Sequence, residues 1–550
     1  MFLAILPNGC AAAVNHTLLF ASATGAVARA TFAASVTGLS ASGESLTVLS
    51  DDKTLSSVSC SGAELAVTES QTMARRGSAL GVFPAPAGAG SAGARVAVVG
   101  DKTGDATALG PLPTVRARKR VLLGHTGSVI TAVALVGVRD ELLLTGDRDG
   151  KIRASSWVSP WRVPSFLLGH TRAVSGLAPL SVGVANYGQT ELIASAGGDG
   201  ALRLWHARSG TLLHSTYFRF SVGAVAADGS MGAGPLTVET TPAGVAHTDA
   251  DTTFSKTDDG GVGGPSGVDA DAGGASSSDD GDGAEGAFGG GAADTPRTAP
   301  PSAVPPLDVS RGCATLSPLV VPASLVAFSG GADLPACPLI ACIVVGELAV
   351  RVFAAVGEPS ARIDVPHEAY APAVRASGAG SDASEGGSGR VSLAQVRLLA
   401  VGTLRAGPTV PLALVPWSDG ARAGLLFGGL FPTNGGDASS GKSSEYRVTA
   451  LRVEVDTGIS AGSVCDVGSG WTWEADSAAG AAGGAPRWRL VPSDAPPAIK
   501  AISDALAADT PSGLDASAVA REASPITANP DELDKASWAK PSSSRRKVEA

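Results

Sequence analysis

The residues of this chain with the types and spacing for chemistry fall into three groups. Gly436-Asp437-Ala438-Ser439-Ser440-Gly441-Lys442-Ser443 has the spacing of a loop that cradles nucleotide phosphates. Histidines and aspartates recur at matched positions, His125 with Asp149 and His170 with Asp199. Cations crowd at Arg75, Arg76 and Lys102, at Arg116, Arg118, Lys119 and Arg120, and at Arg148, Lys151 and Arg153. A phosphate loop needs a strand before it and a helix after it, so that helix-end amides converge on the anion. Here Pro432-Thr433-Asn434 leads in and the alternating, β-prone Glu445-Tyr446-Arg447-Val448-Thr449 leads out. The string therefore reads as a hairpin loop and not as a nucleotide site. Gly100 to Gly104 is too short for an S-adenosylmethionine loop and runs into further strand, and Asp259 to Gly264 lacks the alternating β and α units such a loop requires. With no metal-ligand spacing of Cys or His either, the chain is expected to hold no catalytic residue, cofactor or metal of its own.

The His and Asp residues belong to a device that occurs twice. Leu123-Gly124-His125-Thr126 leads to Gly146-Asp147-Arg148-Asp149-Gly150-Lys151-Ile152-Arg153, and Leu168-Gly169-His170-Thr171 leads to Gly198-Asp199-Gly200-Ala201-Leu202-Arg203-Leu204-Trp205. The two histidines are 45 residues apart. That spacing and the Gly-His to Asp to Trp order mark a WD-type β-propeller, in which a four-stranded blade takes about 40 to 45 residues. In such a blade the Asp sits in a tight turn and the His joins it to a strand hydroxyl and a Trp, so that two buried polar groups satisfy each other. The set His170, Ser195, Asp199 and Trp205 is complete. The set His125 and Asp149 is weaker, because Ser155 stands where the Trp is expected and Trp157 falls two residues late. All six network residues read as structural, since their place in the fold accounts for them.

The elements that must carry this device are short β-rich runs between turn signals. Leu46 to Ser50, Thr54 to Ser59, Arg95 to Gly100, Leu325 to Phe328, Leu339 to Val345, Leu348 to Phe353, Val391 to Val401, Leu412 to Val415, Leu425 to Phe427 and Arg447 to Val453 are of this kind. They lay out seven blades, at about 1–30, 31–70, 71–117, 118–160, 161–220, 311–357 and 390–456. The fold expected is all-β, a seven-bladed WD-type propeller. Blades 1–5 fill residues 1–220 and blades 6–7 residues 311–456, and the first strand is expected to pair within the last blade to hide the sheet edges. Met1 to Leu6 reads as a strand entering the propeller and not as a signal peptide, since it lacks a basic start. Residues 457–550 read as a largely disordered C-terminal extension, with a short helix at Ile499 to Leu506 and a basic tail.

Residues 221–310 are mainly Gly, Ala, Asp, Ser and Pro, a composition that cannot bury enough apolar surface to offset chain ordering. This segment is expected to be a disordered acidic insertion. Its fourteen carboxylates face only Lys256 and Arg297, a balance of −12 within a whole-chain charge of −10, so the rest of the chain carries +2. The acidic total therefore does not exclude a nucleic-acid partner. Six cysteines show no CxxC pair and read as free thiols of a reducing compartment. No uninterrupted apolar run of about 18 residues is present, so no membrane partner is expected.

Four strings occur in order: Ala74-Arg75-Arg76-Gly77-Ser78-Ala79-Leu80, Val98-Val99-Gly100-Asp101-Lys102-Thr103-Gly104-Asp105, Leu144-Thr145-Gly146-Asp147-Arg148-Asp149-Gly150-Lys151-Ile152-Arg153-Ala154-Ser155, and Phe166-Leu167-Leu168-Gly169-His170-Thr171. Together they resemble the non-catalytic WD-repeat subunit of the tRNA (guanine-N7) methyltransferase, over roughly residues 45–215. The resemblance implies a scaffold in a heterodimer with a catalytic subunit that itself binds S-adenosylmethionine, a role in seating tRNA for methylation of guanine N7 in the variable loop, and a nuclear location. Carried over by motif, Lys151, Arg153 and Arg148 are implied to hold the partner, and Arg75, Arg76 and Lys102 to form an edge for tRNA or the same partner. Two other readings stand beside this one. A generic WD scaffold, such as a ubiquitin-ligase adaptor or chromatin module, would share the Gly-His and Asp-Trp elements alone, and an enzyme would use Gly436 to Ser443 with nucleotide.

Overall fold

A computed structural model describes residues 1–242 apart from 63, 87–92, 114–118, 138–141, 181–190 and 226–230. Beyond these it describes 320–329, 338–344, 349–366, 390–406, 410–418, 423–432, 444–455, 463–468, 471–475, 488–493, 496–511 and 514. Of the insertion expected to be disordered at 221–310, residues 221–225 and 231–242 instead form paired strands, held by backbone hydrogen bonds that composition does not forbid; the rest of it, and the far C-terminus, lie outside the described residues. So do residues 433–443, which hold the phosphate-loop string, and Arg116 and Arg118.

The described strands form seven antiparallel sheets. Blade 1 holds β1 (Phe2–Leu6), β2 (Gly9–Val14), β3 (Thr17–Ser22) and β4 (Val27–Thr31), and blade 2 holds β5 (Val36–Ser42), β6 (Ser45–Ser50), β7 (Thr54–Ser61) and β8 (Glu64–Thr72). Blade 3 is β9 (Gly77–Pro84), β10 (Arg95–Asp101), β11 (Asp105–Leu109) and β12 (Lys119–Gly124). Blade 4 is β13 (Ile130–Val136), β14 (Leu142–Asp147), β15 (Lys151–Ser156) and β16 (Ser165–Leu168). Blade 5 is β17 (Val174–Leu180), β18 (Leu192–Gly197), β19 (Ala201–His206), β20 (Thr211–Val225) and β21 (Met231–Pro242). Blade 6 starts with β22 (Val320–Ser329), β23 (Pro338–Val344), β24 (Ala349–Pro366) and β25 (Arg390–Ala406), and blade 7 with β26 (Val410–Ser418), β27 (Ala423–Pro432) and β28 (Ser444–Val455). The first strands β1, β5, β9, β13, β17, β22 and β26 lie each against the next, and β26 returns to β1. The chain is a closed seven-bladed β-propeller.

Closure differs from the expected strand exchange. β1 pairs with β2 in its own blade and meets the last blade by packing alone, with Leu3, Cys10, Leu19, Leu412, Leu426 and Leu430 in one shared core. Each such side chain contributes roughly 1.5–3 kcal/mol when fully buried, so a packed seam suffices without a shared sheet. Blades are also out of phase with the sequence repeat by one strand. The string before each Gly-His is the outer strand of one blade, and the inner strand of the next follows it, so blade 4 runs from Ile130 and not from residue 118.

The C-terminal region holds more structure than its composition suggests. β29 (Val464–Gly468) and β30 (Trp471–Ala475) add to β25 in blade 6, and β31 (Trp488–Pro492) adds to β28 in blade 7. Trp471 and Trp473 are 3% and 1% exposed and complete the blade 6 and 7 core with Phe427, Phe431 and Leu490. Helix α1 (Pro497–Asp509) begins with proline at its first turn, where the missing N–H costs nothing. It buries Ala498, Ile499, Ile502 and Leu506 across blades 7 and 1. Since β31 reaches only Leu451–Val455 of β28, the rest of that edge is open. There Val448 N–H donates to Ser503 Oγ at 3.2 Å and Tyr446 N–H to Thr510 Oγ1 at 3.0 Å, so the helix covers an edge that a strand would otherwise occupy. Arg29 pairs with Asp509 across the same seam.

Candidate functional site

Neighbouring blades are stitched along their inner strands. Ser78 donates to the Ile130 carbonyl at 2.6 Å, and Thr131, one blade on, repeats the bond to the Val174 carbonyl at 2.6 Å. The second strand stays close because it carries glycine there: a Cβ on Gly100 would sit 2.5 Å from Ile130, and one on Gly146 2.7 Å from Val174.

In blade 5 a single chain of bonds joins four buried groups. Trp205 Nε1–H donates to Ser195 Oγ at 2.8 Å, and Ser195 lies 2.8 Å from His170 Nε2. His170 Nδ1 in turn is 3.0 Å from Asp199 Oδ1. A carboxylate only accepts, so Nδ1 donates a proton to Asp199. Burial would raise the Asp199 pKa, but the charge and hydrogen bond of His170, Arg203 and the Thr171 amide hold it below the usual range. His170, Ser195, Asp199 and Trp205 are thus placed together, each with partners inside the blade.

In blade 4 the aspartate differs from the expected one. His125 Nδ1 meets Asp147 Oδ2 at 2.9 Å, while Nε2 meets Thr145 Oγ1 at 2.7 Å. Asp147 Oδ1 accepts from the amides of Asp149 and Lys151, both at 2.9 Å. Asp149 is not in the network: its side chain is 45% exposed and lies 3.8 Å from Arg148. The reason is geometric. Asp147 ends β14 and reaches under the turn, whereas Asp149 occupies the turn itself, which in blade 5 is the place of Asp199. Blade 3 uses the blade 4 solution, with Asp101 Oδ1 accepting from Thr103 and Asp105 amides. Trp157 serves blade 3 instead, donating to the Pro84 carbonyl at 2.9 Å and meeting Phe83 edge to face.

The cations divide by role. In blades 1 to 4 the turn between the second and third strands shares a face with the link to the next blade, and Arg75, Arg76, Lys102, Arg148 and the start of β15 at Lys151 lie on that face. The Lys102 amide donates to the Arg76 carbonyl at 3.2 Å, which brings the first three together. Arg76 pairs with Asp51 of blade 2 at 3.3 Å, while Arg75 and Lys102 are exposed with no ion pair among the described residues. Arg153 is half-buried. Its Nη1 donates to the Gly124 carbonyl at 3.0 Å and its Nε to Ser155 at 3.1 Å, and burial lowers its pKa.

Beside these cations stand two residues that the charge pattern gave no reason to single out. Lys151 is paired with Leu168 and Arg153 with Phe166 across β15 and β16, so the four side chains share one face. Phe166 is 50% and Leu168 63% exposed, and Val121 on the outer strand of blade 3 is 60% exposed. The signal in the sequence was the unbroken apolar run Phe166-Leu167-Leu168: successive strand residues face opposite sides, so Leu167 goes inward and its neighbours outward. An outer strand with large apolar groups flanked by cations fits a partner that is apolar and acidic.

One comparison with known proteins, a family model, covers this region. The family model "tRNA methyltransferase TRM82 WD40 domain" matches residues 111–245. The chain is 39% identical over 122 residues to the tRNA (guanine-N(7)-)-methyltransferase non-catalytic subunit wdr4 of Xenopus laevis, which is 22% of this chain and 28% of that protein. It is 41% identical over 117 residues to the human WDR4 subunit, 21% of this chain and 26% of that one. It is 37% identical over 119 residues to the subunit wuho of Drosophila willistoni, 22% of this chain and 26% of that one. The matched stretch spans between a quarter and a third of these relatives' length. Over it, the resemblance read from the sequence holds.

Proposed function

We propose that this chain is the non-catalytic subunit of a tRNA (guanine-N7) methyltransferase. The observation that carries the reading is the outer surface of blade 4, where Lys151, Arg153, Phe166 and Leu168 form one mixed basic and apolar face. It lies inside residues 111–245, which the family model matches. A catalytic partner docks there through acidic and apolar groups, with Arg148 at its rim. That partner supplies S-adenosylmethionine and the methyl transfer to guanine N7 in the tRNA variable loop. This chain contributes rigidity: its ring fixes the docking face, and Arg75, Arg76 and Lys102 offer cations to tRNA phosphate on the face shared with the Lys151 turn. Its place of action is the nucleus.

The test is co-purification of the full chain followed by a guanine-N7 methylation assay of the partner with and without it. Recovery of a small methyltransferase whose activity depends on this chain supports the proposal. Recovery of neither methyltransferase nor tRNA leaves a generic interaction scaffold. Nucleotide hydrolysis by the isolated chain would instead support an enzyme.

A further inference from the structure

On the opposite face of the ring, a cleft of about 270 Å³ opens between blades 2 and 3, lined by Ser42, Ser45, Thr47, Ser57, Arg95 and the Gly43, Gly93, Leu112 and Pro113 rim. We infer that this cleft binds the phosphoryl group of a small molecule, with Arg95 as its counter-charge and Thr47 and Ser57 as hydroxyl donors.

The inference starts from a break in the blade interface. On the β6 and β7 pair, cross-strand partners share a face, and the rows run Leu49 with Leu55, then Thr47 with Ser57, then Ser45 with Ser59. The first row packs on Ala97, Val99 and Leu109 of blade 3, as an interface between blades should. One row further on, apolar groups give way to hydroxyls, although these positions are just as buried: Thr47 is 1% and Ser57 2% exposed. The residues that alternate with them, Leu46, Val48 and Val58, stay apolar against blade 1. Apart from Ser56, polarity on these two strands is confined to the side that faces the cleft.

Neither hydroxyl has a hydrogen-bond partner among the described residues, whereas the adjacent Ser56, on the other face of β7, pairs with Ser70 at 2.8 Å. Neither oxygen is among the fully enclosed polar atoms that lack a partner, so the little surface each hydroxyl keeps opens at the cleft, where a ligand can accept from it. Arg95 adds a guanidinium that makes no ion pair among the described residues, and no carboxylate lines the cleft. Several hydroxyl donors around one forked cation suit a group rich in acceptor oxygens and negative charge, which is phosphoryl chemistry.

The experiment is thermal unfolding and calorimetric titration of the full chain with inorganic phosphate and, separately, with glycerol phosphate, against sodium chloride at matched ionic strength. Saturable stabilisation by either phosphate, absent with chloride, is expected. A response to inorganic phosphate alone identifies the free anion as the ligand, and tighter binding of glycerol phosphate identifies an ester. Arg95→Gln should weaken binding about tenfold or more through loss of the charge-assisted pair. Thr47→Val keeps the shape, so it should hold or raise Tm without phosphate while weakening phosphate binding about threefold or more. Lys102→Gln, on the other face, should leave the titration unchanged. No saturable response, or an equal response in Thr47→Val and Arg95→Gln, overturns the inference; a loss confined to Lys102→Gln does the same by moving the anion to the basic face.

Discussion

Arg153 and Gly124 join two blades: the guanidinium Nη1 donates to the glycine carbonyl at 3.0 Å, fastening the third strand of blade 4 to the outer strand of blade 3. This bond gives Arg153 a structural duty beside its place on the proposed docking face. Lys151, which is exposed and has no ion pair among the described residues, has no such duty. Arg153→Leu should therefore lower stability by about 1 kcal/mol, the usual loss of one intramolecular hydrogen bond, and also weaken partner association. Lys151→Glu should weaken association alone, with Tm unchanged. Denaturation curves and pull-downs on the two variants check this; full association by Lys151→Glu would remove the turn from the interface.

The His125 and Asp147 pair predicts a pH dependence. Burial would raise the Asp147 pKa, but the His125 hydrogen bond and charge, with the Lys151 and Asp149 amides, bring it below its ordinary 3.8. A carboxylate lowered on folding stabilises the protein fully above its unfolded pKa and loses that contribution as pH falls through the folded value. The stability difference between the parent chain and Asp147→Asn should be constant above about pH 5 and shrink below about pH 4. Denaturant titrations at several pH values measure it.

Gly150 should tolerate no side chain. Its φ is +84°, and an added Cβ would collide with the His170 carbonyl. Gly150→Ala should cost more than about 1 kcal/mol, whereas Gly43→Ala, at φ +61° with open space around it, should cost only the backbone strain of about 1 kcal/mol. Unfolding midpoints of the two variants give the comparison.

Helix α1 should be integral to the ring. Ile502 is 1% exposed, and Ile502→Ala should cost about 2–5 kcal/mol through lost burial and a cavity. Ser503→Ala, which leaves the Val448 amide without its acceptor, should cost about 1 kcal/mol. Equal stability of the parent chain and a truncation before residue 496 would refute the assignment.

The basic face makes a prediction for tRNA. Each phosphate neutralised on a duplex contributes about 0.9 to the slope of log affinity against log salt, so Lys102→Gln and Arg75→Gln should each flatten that slope by about 1. Filter binding at several salt concentrations tests it, and an unchanged slope would place tRNA elsewhere.

How much of this was legible in the sequence depended on whether the informative residues were neighbours. The ring, and the set His170, Ser195, Asp199 and Trp205, could be read because a blade repeats local hairpins at fixed spacing. The blade 4 aspartate was misplaced because two carboxylates flank Arg148, and alignment of Gly150 with Gly200 picks Asp149, whereas the bond to His125 depends on which carboxylate reaches beneath the turn. Blades 6 and 7 were incomplete in the sequence because their last strands lie far along the chain: Trp473 pairs with Leu404. The alternation Trp471-Thr472-Trp473 was the available sign of a strand there. Phe166 and Leu168 were not singled out, because which residues of an unbroken apolar run face outward is set by the pairing register with Arg153 and Lys151.

The order of strands near the C-terminus sets how the ring can be made. The chain leaves blade 6 after β25, builds three strands of blade 7, returns to blade 6 for β29 and β30, and then goes back to blade 7 with β31. The first five blades draw only on contiguous sequence and can form as they leave the ribosome, but the last two are woven through each other. Blade 6 is finished only when residue 475 has emerged and blade 7 only at residue 492, and the α1 buttress follows after it. A nascent chain stalled anywhere between 410 and 475 would therefore expose two ragged blades at once, a latch that a chaperone must guard until the final strands are threaded.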